Sequence, residues 1–291
     1  MKKLLTVLLI AFFLFTNAQN SQQIANRFFY ELTFKPKKDS AKTDKKVTIL
    51  DIISRKSVYQ DYTLPSQDSI MKIQIEKMKK SGNVFQDVNK ILKSPKFTYK
   101  IIKFYPDMKL QYVDRIGVNL FSYNDQLKLK WDILPEKQKI GIYNTQKATT
   151  EFGGRKWIAW FSSDIPFQDG PYKFQGLPGL IIKIEDTEKN YVWLLSGNKK
   201  IIDYDETYSD NLVATIGMMK NTITPTSKEK FQKLYKVYIT DPLAETRQYM
   251  TPEYMNMIMP GTNETIGNII KKEEKRLKES FKANDNFIEK D

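Results

Sequence analysis

Neither cysteine nor histidine occurs among the 291 residues of this chain. The lack of cysteine excludes disulfides, a thiolate nucleophile and a lipid-modified N-terminal Cys, so the fold rests on its hydrophobic core alone. The lack of histidine removes the commonest general base and the commonest metal ligand, and with them Ser or Cys triads and zinc sites with N or S ligands. Any chemistry falls to Asp, Glu, Lys, Tyr or Arg. No catalytic residue, metal ligand or cofactor is assigned. There is no internal repeat, no low-complexity tract and, after Phe15, no long apolar run.

The one long apolar run spans Leu4 to Phe15, interrupted only by Thr6, between Lys2-Lys3 and Thr16-Asn17-Ala18. This is the layout of a secretory signal peptide over residues 1–18, and the run is too short for a comfortable membrane span. The expected mature chain is soluble from about Gln19, periplasmic or secreted, and not a lipoprotein. The formal net charge of +13 falls to +11 once Lys2 and Lys3 are removed. Such a surface favours an anionic envelope component, a lipid headgroup or an envelope protein as partner, and nucleic acid is not expected for an exported chain. The lysines are spread along the chain, which serves solubility equally well.

Alternating and β-branched patterns predict strands over Ala25–Phe34, Val47–Tyr62 (bent near Ser54–Lys56), Phe97–Tyr105, Lys109–Val118, Leu120–Leu127, Leu129–Leu134, Tyr143–Thr150, Arg155–Phe161, Leu180–Glu185 and Tyr191–Ile202. Short connections favour antiparallel pairing, with Glu151–Gly154 a hairpin turn. Helices are predicted over Asp68–Leu92 (a first helix, a break at Gly82 and a second, shorter one), Asn211–Asn221, Ser227–Ile239, Met250–Met257 and Thr265–Lys282, Ser227 being an N-cap. The expectation is one α+β domain over 19–283. It is mainly an antiparallel curved sheet or open half-barrel, with a helical insertion and a helical C-terminal section. A disordered tail is expected over 284–291.

The most particular stretch runs from Ser163 to Ile182, with Pro166, Gly170, Pro171, Gly176, Pro178 and Gly179 between two strand-like runs. Prolines that fix φ and glycines that relax it make this a built loop, not a linker. Gly176-Leu177-Pro178-Gly179-Leu180-Ile181 follows Phe152-Gly153-Gly154-Arg155, Trp157, Ala159-Trp160-Phe161, Asp164-Ile165-Pro166 and Gly170-Pro171-Tyr172-Lys173-Phe174. In these elements, over about forty residues, the chain resembles the GLPGLI family of exported Bacteroidetes proteins. The resemblance implies export and a shared fold, and supplies no catalytic residue.

Arg155, Asp164, Asp169 and Lys173 lie around one hairpin and its following loop. One reading has Arg155 and Lys173 bind an anionic group, oriented by Asp164 or Asp169. The other has Arg155 bridge to a loop carboxylate and fix the Pro/Gly turn. Trp157 and Trp160 are three apart in a strand, so they take opposite faces, one in the core and one free to stack on a sugar or acyl chain or to pack under the loop. Asp164 with Asp169 or Glu185 is available in principle as a glycosidase pair, though nothing in the sequence marks it. The loop lacks a Gly-Lys-Ser/Thr ending, and Pro178 removes a backbone donor, so it is no phosphate cradle. Gly176 and Gly179 instead permit a close chain crossing while Leu177, Leu180 and Ile182 plug the core. Met250, Met255, Met257 and Met259 suit a packed helix, an adaptable binding surface or a soft Cu(I) site, in that order. The function expected is an exported binding or accessory protein of the envelope, holding an amphiphile in an apolar groove or docking an envelope protein.

Overall fold

The computed structural model describes residues 23–63, 65–68, 93–205, 222–244, 247–260 and 262–290, with isolated positions at 70, 73, 76 and 80. The signal segment, most of the expected helix over Asp68–Leu92 and the helix expected over Asn211–Asn221 lie outside the described residues.

Among the described residues twelve strands form one sheet: β1 (Ala25–Phe34), β2 (Asp44–Ile52), β3 (Lys56–Asp61), β4 (Lys100–Phe104), β5 (Lys109–Ile116), β6 (Asn119–Asp125), β7 (Asp132–Ile140), β8 (Tyr143–Phe152), β9 (Arg155–Ser162), β10 (Leu180–Asp186), β11 (Tyr191–Ile201) and β12 (Ile223–Pro225). Their spatial order is β12-β6-β5-β4-β3-β2-β1-β11-β10-β9-β8-β7. Among the described residues every ladder is antiparallel except the short one of β12 on β6. The run expected as one bent strand over Val47–Tyr62 is two, paired as a hairpin through Ile53–Arg55, where Ile53 N–H donates to Lys56 O at 2.9 Å.

This order forces the sheet to curl. In a flat sheet β6 and β7, ten strand intervals apart in that order, would be separated by roughly 48 Å at about 4.8 Å per interval. The chain joins them through residues 126–131, a link that reaches at most about 25 Å fully extended. The two ends of the sheet are therefore drawn towards each other around a common interior. Alternation along the strands fills that interior: Phe28, Tyr30, Leu32 and Phe34 of β1, Trp157, Ala159 and Phe161 of β9, and Trp193 and Leu195 of β11 are all buried.

The labelled helices among the described residues are α1 (Lys228–Thr240), α2 (Pro252–Asn256) and α3 (Ile266–Lys282), with described helical positions also at 63, 65–68, 70, 73, 76 and 80. Each labelled helix starts on a hydroxyl N-cap, Ser227, Thr251 and Thr265, whose side chain accepts a backbone N–H inside the first turn. Phe231 on α1 packs against Tyr112 and Tyr123, which sets the helix over β5 and β6. The methionine segment is not the packed helix expected. Met257 and Met259 are 56% and 44% exposed, because only the five residues of α2 are helical there.

Candidate functional site

The Pro/Gly loop, residues 163–179, starts at the surface with Ser163 and Asp164 and is buried from Asp169 to Gln175. It leaves β9, crosses the interior and returns as β10, so Tyr172, Phe174 and Leu177 sit in the main core. Phe174 meets Trp157 edge-on at 4.7 Å between ring centroids, and Tyr172 stacks on Trp193 at 6.4 Å. Gly179, with φ +152°, makes the return possible, since a Cβ there would run into the Ser162 carbonyl oxygen. The apolar groove expected for an amphiphile is thus occupied by the protein's own aromatic loop.

A loop crossing an interior must satisfy its polar groups there; Lys103 does this for the loop carbonyls, while two further buried cations, Lys173 and Arg155, pair with acceptors outside the loop. Lys103 of β4 is 0% exposed. Its ammonium donates to Asp169 Oδ1 (2.6 Å), Gly170 O (2.7 Å) and Phe174 O (3.1 Å), one acceptor for each of its protons. The second Asp169 oxygen accepts from Ser57 Oγ and Tyr105 Oη, both at 2.5 Å. Burial pushes the Lys103 ammonium down from its ordinary value, and Asp169 opposes that shift. The cluster ties the middle of the loop to β3 and β4.

Lys173 forms the second knot. It pairs with Asp125 at 2.7 Å and Glu289 at 2.6 Å, and lies within about 6 Å of the rings of Tyr112, Tyr123, Tyr172 and Phe152. Burial alone would raise Asp125, but hydrogen bonding and attraction from Lys173, helped by Lys228, hold its carboxyl below the usual range.

Arg155 forms the third. Nη1 donates to Asp186 (3.0 Å), Nη2 to Asn286 Oδ1 (2.6 Å) and Phe287 O (2.7 Å), and Nε to Ile288 O (3.0 Å). The tail expected to be disordered is accordingly held across residues 284–290. Its polar composition reads as solvated, yet Asn286 is buried and Ile288 joins the main core.

The four charged residues that the sequence places around one hairpin are therefore separated. Arg155 pairs with Asp186, Asp169 with Lys103, and Lys173 with Asp125 and Glu289. Asp164 lies at the surface, where Asn144 donates to it at 3.5 Å. A carboxylate pair of Asp164 and Asp169 has no route to a common substrate, because Asp169 is 1% exposed beneath donors from Lys103, Ser57, Tyr105 and the Gly170 N–H. Trp157 is fully buried and Trp160 half-buried, so the two faces differ as their spacing requires. Gly176, Leu177, Pro178, Gly179, Leu180 and Ile181 line the return into β10, with Leu177, Leu180 and Ile181 all 0% exposed. Lys103 and Ser57 carry a signal that sequence reasoning passed over. Lys103 has the same parity as Ile101 in β4 and so points inward.

An accessible polar cleft lies elsewhere, at the β7 end of the sheet. There a cleft of about 410 Å³ is lined by Lys137, Gln138, Asn144, Thr145, Gln146, Phe161, Ser163 and Asp164. Among the described residues β7 pairs only with β8, through a ladder irregular between Ile133 and Lys137, and the hairpin tip leaves Ile142 80% exposed. Among the described residues no group of three or more His, Cys, Asp or Glu is placed to hold a metal ion, and no helix is long and apolar enough to cross a membrane.

Comparison with curated proteins gives no match. Residues 151–183 match the model of an uncharacterised family found in Bacteroidetes, Porph_ging, described as a protein of unknown function. Among solved structures, "Structure of PNGF-II in C2 space group" superposes with a TM-score of 0.51 at 16% identity, over 74% of this chain and 33% of that one. The same protein in a P21 space group gives 0.49 at 15% identity over the same shares. The chain thus spans a third of the length of the structures it matches, and the likeness is one of fold. With the uncharacterised family it shares the block from the β8–β9 turn through Arg155 and the interior loop into β10.

Proposed function

We propose that this chain is an exported binding or accessory protein of the cell envelope that docks another protein at the free β7–β8 edge of its sheet. The observation that carries the reading is a contrast in availability. The half-barrel interior is filled by the protein's own loop, and its buried cations each have their acceptors. The edge, by contrast, presents a cleft lined by amide, hydroxyl, ammonium and carboxylate groups beside an exposed isoleucine at a hairpin tip. An edge strand offers unpaired backbone groups to an added strand, and the flanking side chains select the partner. The pattern from Lys2 to Ala18 supports export. The buried state of Asp169 supports binding over carboxylate hydrolysis.

A photo-crosslinking residue at Gln138, in the full-length chain expressed in its native envelope, tests this. The expected result is one discrete protein adduct, lost in the Lys137→Glu/Asp164→Arg variant and retained with the cross-linker at Asn144. Adducts that form equally well from a cross-linker at Lys109, on β5 far along the sheet order, would refute docking at this edge.

A further inference from the structure

The way residues 284–290 are held resembles the capture of a ligand more than the packing of a chain end. The segment runs extended, with Asn286 buried, Phe287 48% exposed and Ile288 buried, the alternation of a strand laid in a groove. Its recognition is largely through main-chain atoms. Arg155 donates to the carbonyls of Phe287 and Ile288, Tyr191 Oη donates to that of Asn286, and Lys290 N–H donates to Gly153 O at 3.0 Å. Side chains add selection. Asn286 Nδ2 donates to Lys35 O (2.9 Å), its Oδ1 accepts from Arg155, and Glu289 accepts from Tyr172 Oη and pairs with Lys173, both at 2.6 Å. Gly153 leaves room for the strap, because a Cβ there would come within 2.9 Å of Glu289 Cα.

We infer that this channel, walled by Arg155, Tyr191, Tyr172 and Lys173, is a peptide-binding groove. Its resident occupant is the chain's own C-terminal segment, and it accepts the same segment supplied in trans. The ligand class is an extended peptide with an Asn, an apolar residue two places on, and an acidic residue next, as in Asn286-Phe287-Ile288-Glu289. Three of the four acceptors on Arg155, and one of the two carboxylates on Lys173, come from the strap. An empty groove would therefore leave the Arg155 guanidinium with Asp186 alone of its four acceptors, so exchange of one peptide for another is favoured over vacancy. The covalent tie to the rest of the molecule is short: α3 ends at Lys282 and the buried part begins at Asn286.

The test uses the full chain with a protease site inserted between Lys282 and Ala283, cut after folding. The expected result is a nicked protein that keeps its far-ultraviolet dichroism and retains the tail without a covalent bond. It then exchanges the tail for a labelled peptide of residues 283–291, read by fluorescence anisotropy and native mass spectrometry. Peptides carrying Asn286→Ala or Glu289→Lys should bind at least about tenfold more weakly, and one carrying Ile288→Asp should not bind. Loss of fold on nicking, retention of the tail without exchange, or equal exchange of a scrambled peptide would each overturn the inference. Any of these makes the strap a permanent part of the core. None bears on docking at the β7–β8 edge, which is read by cross-linking at Gln138.

Discussion

The interior loop and the β7–β8 edge handle charge in opposite ways. Inside, Lys103 and Lys173 are 0% exposed and each contacts a carboxylate within 2.7 Å. At the edge, Lys137 and Lys139 are exposed, and Lys147 reaches Glu136 only at 3.6 Å with the acid half in solvent. The same residue type thus fixes a backbone path in one region and leaves a surface open in the other. Buried cations give a loop whose one regular pairing is the Asp169–Gln175 bridge a single conformation, because each has few places where its protons find acceptors. Exposed ones contribute little to stability and remain free for a partner.

The largest break in this contrast is Lys103→Met. It leaves Asp169 buried without its cation and should lower stability by about 3–5 kcal/mol, read by urea denaturation, whereas Lys137→Met should change it by less than about 0.5 kcal/mol. Equal effects would erase the distinction. Gly179→Ala should come next, at about 3 kcal/mol, since the new Cβ meets the Ser162 carbonyl and the residue sits at φ +152°; Gly141→Ala at the edge, with open space around it, should show only the smaller strain of its positive φ.

A third prediction concerns pH. Asp114 is 5% exposed, and burial raises its carboxyl to about 6 despite donors from Thr98, the Arg115 backbone and Tyr112. The folded state then holds this proton more tightly than the unfolded chain, whose carboxyl titrates near 4. Stability should therefore fall, by up to about 3 kcal/mol, as pH rises from about 4 through about 6. Asp114→Asn should flatten that slope in melts recorded across the range, while Asp164→Asn at the edge should leave it unchanged. The smallest effect expected is on stability in Lys137→Glu/Asp164→Arg, within about 0.5 kcal/mol, even though this variant should abolish the Gln138 cross-link.

Most strands and hairpins were legible in the sequence because alternation and turn residues are local signals, and Arg155–Phe161, Leu180–Glu185 and the Glu151–Gly154 turn agree with β9, β10 and the β8–β9 hairpin within a residue or two, whereas the strand expected over Leu129–Leu134 is β7 at Asp132–Ile140, running through Pro135. The loop was legible as a built element but not as an interior one. Its prolines and glycines announce a fixed path, whereas its destination depends on Lys103, 66 positions from Asp169. Long-range pairing also hid the partners of Arg155: nearby Asp164 and Asp169 were the candidates, while Asp186 and the carbonyls of residues 287–288 took the guanidinium. The tail misled for a related reason. Asn284, Asp285 and Asn286 read as solvated, yet Lys96, Lys38 N–H and Arg155 respectively bind their side chains.

The aromatic row also has an optical consequence. Trp157 and Trp193 lie 6.0 Å apart at 43°, close enough for their excited states to couple, and Phe174 and Tyr172 of the loop rest against Trp193. Their near-ultraviolet dichroism is therefore a built-in gauge of whether the loop is seated. It should collapse when the loop leaves the interior while the strands are still paired, giving folding studies a signal from the plug that is separate from that of the sheet.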